Sequence, residues 1–182
     1  MSDAPITTGY CLCRRIRYRA TGQPNWRCYC HCESCRRATG VPVNAFASFP
    51  LANFTFEGEP ARYQSSPGVT RTFCSNCGTP LTYEAEDLPG EIHLLVGSAE
   101  HPEAPHLAPQ YHVFENERIS WIDIGGPLPK RKPPWRSGTP LVTQVTHGAT
   151  RIYLPLRTTP PTPTFEEVAT SFQTQARHAV HR

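Results

Sequence analysis

Residues 28–35 read Cys-Tyr-Cys-His-Cys-Glu-Ser-Cys, four thiols and an imidazole in eight positions. Thiolates bind soft metals, exchange disulfides and attack electrophilic carbon, so this stretch suits a metal site, a redox site or a disulfide knot. Four more cysteines lie outside it: Cys11 and Cys13 in "CLC", and Cys74 and Cys77 in "CSNCG". A C-x-x-C pair followed by glycine is a common metal knuckle. Its two sulfurs face one ion, and the glycine lets the chain turn so that backbone N–H groups point at the thiolates. Structural zinc takes four ligands in a tetrahedron, and one C-x-C plus one C-x-x-C supplies them: Cys11, Cys13, Cys74 and Cys77. The two pairs are some sixty residues apart in the chain. Zinc bound there would clamp the fold, with an apparent free energy of ~10–16 kcal/mol.

The middle cluster is then left over. Cys30, Cys32 and Cys35 form C-x-C-x-x-C, three thiolates from one tight loop. Three protein ligands with one position open is the arrangement zinc uses when it handles a substrate. Cys28 is expected to be a buried, spare thiol; as a fourth ligand it would close the site and make it structural. His31 sits between two ligands and points away from the ion if both neighbours point in, which makes it a supporting or surface group.

The competing chemistries need contexts that the sequence does not supply. A disulfide framework needs an oxidising compartment. The N-terminal "MSDAPITTGY" has neither the basic start nor the apolar run of a secretory signal, so a cytoplasmic setting is expected. A redox C-x-x-C normally opens a helix after a strand, whereas "FCSNCGTP" opens a Gly-Pro turn. Nucleic acid is not an expected partner. Residues 1–135 hold thirteen basic and thirteen acidic side chains, so the formal +3 lies wholly in residues 136–182. Two Zn²⁺ on seven thiolates would shift the body by −3. "CRR" (35–37) also lacks aromatic neighbours on which a base could stack. No run approaches the ~20 apolar residues of a membrane span.

The elements that must position these groups are short strands. "IRYRA" (16–20), "NAFASFP" (44–50), "NFTFEG" (53–58), "TRTFC" (70–74), "LTYEA" (81–85), "EIHLLVGS" (91–98), "YHVF" (111–114) and "ISWIDI" (119–124) are separated by Gly and Pro turns. Phe114 and Trp121 alternate with polar residues and are expected in the core. The one helical piece in this region is short, around Ser34–Ala38. The spacing predicts a mainly β domain over 1–128, a sandwich or small barrel-like pair of sheets. Residues 127–163 contain nine prolines in 37 positions, which predicts a loosely packed or disordered extension over 129–182. Within it, 139–156 fits two strands and 165–181 a short amphipathic helix.

Taken in order, "CLC…YCHCESCRRATG…FCSNCGTPLTY…HLLVGS…HVFENERISWIDI" resembles the glutathione-dependent formaldehyde-activating enzyme family, which also includes centromere protein V. The resemblance runs from about Gly9 to Leu128. It implies an Mss4-like, zinc-bound β-sheet fold. It also implies two Zn²⁺ per chain, one structural on Cys11, Cys13, Cys74 and Cys77 and one on Cys30, Cys32 and Cys35. The implied activity is a zinc-dependent carbon–sulfur lyase that interconverts S-(hydroxymethyl)glutathione with glutathione and formaldehyde. Three departures stand out. Arg14 occupies the place of the usual glycine after the first C-x-C, Cys28 lies outside the pattern, and the Pro-rich extension has no counterpart.

That chemistry sets limits on what the metal does. A free thiol of pKa ~8.5 is only ~3% ionised at pH 7, so full ionisation gains about 30-fold at most. The rest must come from holding the aldehyde beside the sulfur. Arg36 and Arg37 follow the ligand loop and are the candidate partners for a glutathione carboxylate. His112, on a strand, is expected at the rim of the pocket. The rival reading is a non-catalytic zinc module that binds a protein partner, with the extension as adaptor.

Overall fold

A computed structural model describes residues 4–132. Eleven strands and one α-helix run in this order: β1 (Ile6–Tyr10), β2 (Arg17–Thr21), β3 (Trp26–Cys30), α1 (Glu33–Thr39), β4 (Asn44–Pro50), β5 (Phe54–Glu57), β6 (Ala61–Ser66), β7 (Val69–Phe73), β8 (Pro80–Ala85), β9 (Glu91–Leu95), β10 (Tyr111–Val113) and β11 (Lys130–Arg131). The mainly β expectation holds, with α1 where a short helix was expected. The expected strands and helix within 139–181 lie outside the described residues.

A three-stranded sheet has the order β1-β2-β5, and an eight-stranded sheet the order β11-β10-β3-β4-β9-β8-β7-β6. One core fills the space between them. Tyr18, Ala20 and Phe54 of the small sheet meet Ala47, Phe49, Leu81, Ile92 and Leu94 of the large one. A second cluster comprises Phe46, Val69, Tyr83, Leu95, Tyr111 and Val113 together with Cys28, Cys30, Cys32 and Cys35. Alternation along β4 shows how one strand serves both, since Phe46 joins the second cluster while Ala47 and Phe49 join the first. The middle cysteine run is thus packed into a hydrophobic layer of its own.

β3 carries that run and is pinned on both sides. It pairs antiparallel with β4 (Cys28 opposite Phe46, Cys30 opposite Asn44) and parallel with β10 (Cys28 opposite Tyr111, Cys30 opposite Val113). Glu91 of β9 strengthens the frame. Its carboxylate accepts from Trp26 Nε1 at 3.0 Å, Ser48 Oγ at 2.7 Å and Asn25 Nδ2 at 3.1 Å. Hydrogen bonding to His93 first, and to Ser48 and Trp26, brings its pKa down to about 2.

One expectation is overturned. Residues 119–124 form no strand, and Trp121 is 74% exposed rather than core. The place they would take beside β10 is filled by β11, which pairs parallel with it. His112 N donates to the Pro129 carbonyl at 2.9 Å, and the Arg131 guanidinium lies 4.9 Å from the centre of the Tyr111 ring. An edge strand has only one free row of backbone groups, so the occupied edge leaves Trp121 without a sheet to pack on. Phe114 is buried as expected.

Candidate metal centres

All eight cysteines are free. Seven of them fall into two groups whose sulfurs lie within 4.8 Å of one another: Cys11, Cys13, Cys74 and Cys77, and Cys30, Cys32 and Cys35.

The first group joins the β1–β2 turn to the β7–β8 turn. Cys11 N donates to the Ile16 carbonyl and Arg14 N to the Cys11 carbonyl, which closes the first knuckle. Arg14 sits there at φ +61°, where a glycine would be unstrained; an L-residue pays roughly 1 kcal/mol for this conformation. Gly78, at φ +75°, closes the second knuckle with N–H to the Cys74 carbonyl. The sulfurs of Cys11 and Cys13 are 3.5 Å apart and those of Cys13 and Cys74 3.7 Å. A disulfide would need about 2 Å. A zinc tetrahedron with Zn–S bonds of about 2.3 Å has edges of about 3.8 Å, so the spacing and the all-thiol donor set both fit zinc. Ile16 N donates to Cys11 Sγ at 3.3 Å. The Thr79 hydroxyl, 3.2 Å from Cys77 Sγ, and then the Thr79 backbone hold that thiol down to about 5.

The second group is built by β3, the turn after it and the first turn of α1. Cys30 ends β3 facing inward, and Cys32 caps α1, its Sγ accepting from Cys35 N at 3.3 Å. One helical turn then returns Cys35 to the same point. Cys30 and Cys32 sulfurs are 3.5 Å apart, again close to a zinc tetrahedron edge. All three residues are buried. No histidine or carboxylate among the described residues joins them, and neither does Cys28. Cys28 is fully buried one step back along β3, and burial pushes its thiol up. Within the trio, the Cys30 and Cys32 thiols and then Arg71 hold Cys35 well below the ordinary thiol range. Cys30 is pushed up by Cys32 and Cys35. Cys32 is drawn down by its bond to Cys30, but Cys35 and burial leave it at about 12.

Arg71 is the residue that sequence reasoning missed. It lies on β7, 36 positions from Cys35, and "TRTF" gives no hint of a role. Its Nη1 and Nη2 donate to Cys35 Sγ at 3.9 and 3.8 Å, Nη2 also to Ser34 Oγ at 3.1 Å, and Nε to Ser65 Oγ at 3.1 Å. The guanidinium lies 5.0 Å from the centre of the Tyr83 ring. Three thiolates and one Zn²⁺ sum to −1, and Arg71 is the cation placed to offset that charge.

The arginines after the loop part company. Arg36 Nε donates to the His31 carbonyl at 3.1 Å and Nη2 to the Glu117 carbonyl at 3.3 Å, so it braces the ligand loop. Arg37 is 78% exposed and pairs with Glu33 at 2.6 Å across one helical turn. His31 is buried, and its Nε2 lies 2.9 Å from Nδ1 of the half-buried His112. The two rings stack at 5.1 Å, and His112 stacks in turn on Tyr29 at 5.3 Å. Desolvation lowers the pKa of both histidines.

Fold and centres together define a mainly β protein with two cysteine sites of unequal ligand number. The sequence profile of the glutathione-dependent formaldehyde-activating enzyme family matches residues 6–117, more than half of the chain, and the chain belongs to that family. It is 36% identical over 80 residues to a Schizosaccharomyces pombe protein described as an uncharacterized lyase. That match covers 43% of this chain and 58% of the relative's length. A crystal structure of a Rhodobacter sphaeroides protein is similar at 20% identity and a TM-score of 0.42, over 51% of this chain and 87% of that one.

Proposed function

We propose that this protein is a zinc-dependent carbon–sulfur lyase of the S-(hydroxymethyl)glutathione synthase type. It interconverts a thiohemiacetal with a small thiol such as glutathione and an aldehyde. The observation that supports this most is the group of three buried cysteines, Cys30, Cys32 and Cys35, which Cys28 does not complete. Family membership and the relative described as a lyase point the same way.

Two zinc ions are expected, one on each cysteine group. Zinc at the three-cysteine group would supply ionisation of the substrate thiol at neutral pH, a gain of about 30-fold or ~2 kcal/mol. The chain's own residues do the rest. Cys30, Cys32 and Cys35 would hold the ion, and buried hydrophobic side chains pack around them. Arg71 offsets the negative charge of the trio. Arg36 fixes the loop through two carbonyls, and Arg37 is free to exchange Glu33 for a carboxylate of the incoming thiol. The charged part of glutathione then stays on the solvent side of α1.

The test is exchange NMR on isotope-labelled formaldehyde with glutathione, with and without the zinc-loaded protein. Exchange should rise with protein and fall back with Cys32→Ser. Exchange left unchanged by the wild-type chain for formaldehyde and for a larger aldehyde alike would remove the lyase reading and leave the partner-binding zinc module as the account.

A further inference from the structure

A cavity of about 420 Å³ lies among α1 and β6–β9, one side chain removed from the three-cysteine group. Ala38 and Thr39 of α1, Tyr63 and Ser65 of β6, Arg71 of β7 and Leu95 of β9 line it, and its wall is mostly apolar. Two lining residues touch Cys35 directly. The Thr39 hydroxyl donates to the Cys35 carbonyl at 2.8 Å, and Arg71 reaches Cys35 Sγ with both terminal nitrogens. None of the three sulfurs lines the cavity; Arg71 links it to Cys35, so a molecule seated against Arg71 has its end one side chain from that sulfur.

Size and charge restrict what that molecule is. Formaldehyde is little larger than a water, whose share of liquid volume is about 30 Å³. The cavity has room for on the order of ten such volumes, within the range of pockets that hold whole organic ligands. No acidic side chain lines it, and its one cation is Arg71. All three guanidinium nitrogens of Arg71 already donate, to Ser65, Ser34 and Cys35. A carboxylate in the cavity would compete with these bonds, and a charged peptide body against a mostly apolar wall would lose hydration without replacement.

We propose that this cavity takes the uncharged, apolar body of the aldehyde, so that the preferred carbonyl substrate is an alkyl or aryl aldehyde rather than formaldehyde. This rests on the lyase reading above and names the substrate class of the same site. The step balances without a co-reactant. The thiol sulfur bonds to the carbonyl carbon, the C=O π bond opens, and the thiol proton ends on the resulting hydroxyl; the lyase direction reverses each change. The charged thiol stays on the solvent side of α1 while the aldehyde's body lies inside.

The experiment uses the full zinc-loaded chain. Exchange NMR with glutathione compares formaldehyde with 3-phenylpropanal, each as an enhancement over its uncatalysed rate. Saturation-transfer NMR follows 3-phenylpropan-1-ol, which has the same body and cannot form the adduct. The enhancement for 3-phenylpropanal is expected to exceed that for formaldehyde at least ten-fold. Ala38→Trp, at an exposed position on the rim, lowers that ratio at least ten-fold and abolishes saturation transfer to the alcohol. Tyr63→Ala, which removes an exposed aromatic wall, lowers the ratio less. An enhancement for formaldehyde equal to or above that for 3-phenylpropanal overturns the proposal and leaves the lyase reading standing. So does a preference that Ala38→Trp leaves untouched, or saturation transfer that persists in that variant. If neither aldehyde is accelerated, the lyase reading fails and takes this proposal with it.

Discussion

The two cysteine groups use the same atom type in opposite ways. The four-cysteine group draws on two turns some sixty residues apart, between β1 and β2 and between β7 and β8. It is partly exposed, with Cys13 and Cys77 half-buried, and it bridges the small sheet and the large one. The three-cysteine group draws on six consecutive positions and is wholly buried. Its neighbours are a hydrophobic cluster and one arginine. A group that spans distant segments contributes its binding energy to the fold. A group made within one loop closes almost no chain, so its geometry is available for chemistry. On the proposed function, ligand number and loop length together separate a brace from a reagent.

The largest effect expected from this contrast is on folding. Cys74→Ser removes one ligand from the group that joins the sheets and puts much of an apparent ~10–16 kcal/mol at risk. The expected outcome is loss of the cooperative thermal transition and of near-UV circular dichroism. Cys32→Ser should keep both. If Cys74→Ser melts as the wild type does, the division between brace and reagent fails.

The next effect is on pH dependence. Cys32 is held at about 12 and Cys30 is also pushed up, while Cys35 is held low. At neutral pH the metal-free trio therefore keeps the protons of Cys30 and Cys32, and zinc must displace them. Affinity at this group then rises with pH and falls on acidification. In the first group Cys77, held at about 5, is ionised at that pH, while Cys74, drawn down by the Cys77 backbone but raised by burial, sits at about 11 and keeps its proton. Titration with a chelator at stepped pH should show zinc leaving the three-cysteine group more readily as the pH falls. Release from that group that does not change with pH would contradict the displacement of protons.

The smallest of the three effects isolates Arg71. Arg71→Gln removes the cation beside Cys35 while keeping a polar side chain. Hydrogen bonds to charged groups contribute about 1.5–3 kcal/mol, so zinc affinity at the trio should fall roughly 10–150-fold. Affinity at the four-cysteine group should not change, and Arg71→Lys should recover part of the loss. Chelator competition resolves both. Equal loss at the two groups would mean that the substitution acts through the fold.

Much of this was legible in the residues. The two cysteine groups followed from C-x-C, C-x-x-C and C-x-C-x-x-C spacing, which brings sulfurs a few positions apart to one point. Strand β4 could be read at both ends, since alternation and bounding turns agree there. β3 was less legible. Its "WRCYC" looks like ligand loop rather than strand, and only its pairing with β4 and β10 makes it one. β1 and β6 were missed for a related reason. "ITTGY" and "ARYQSS" are mostly polar, and β6 is an edge strand with little to bury. The strand expected at 119–124 failed because alternation reports compatibility with a sheet and says nothing of whether an edge is vacant.

By itself the sequence determined the two cysteine groups, the mainly β class and the family, because ligand spacing and turn residues act over a few positions. Only the tertiary structure decided that Arg71 faces Cys35, that His31 is buried against His112, that Trp121 is exposed, and that a mostly apolar cavity opens beside Arg71. Those facts depend on sheet order and on which edge is filled. Sheet order is set by contacts between strands far apart in the chain, whose energies no local pattern encodes.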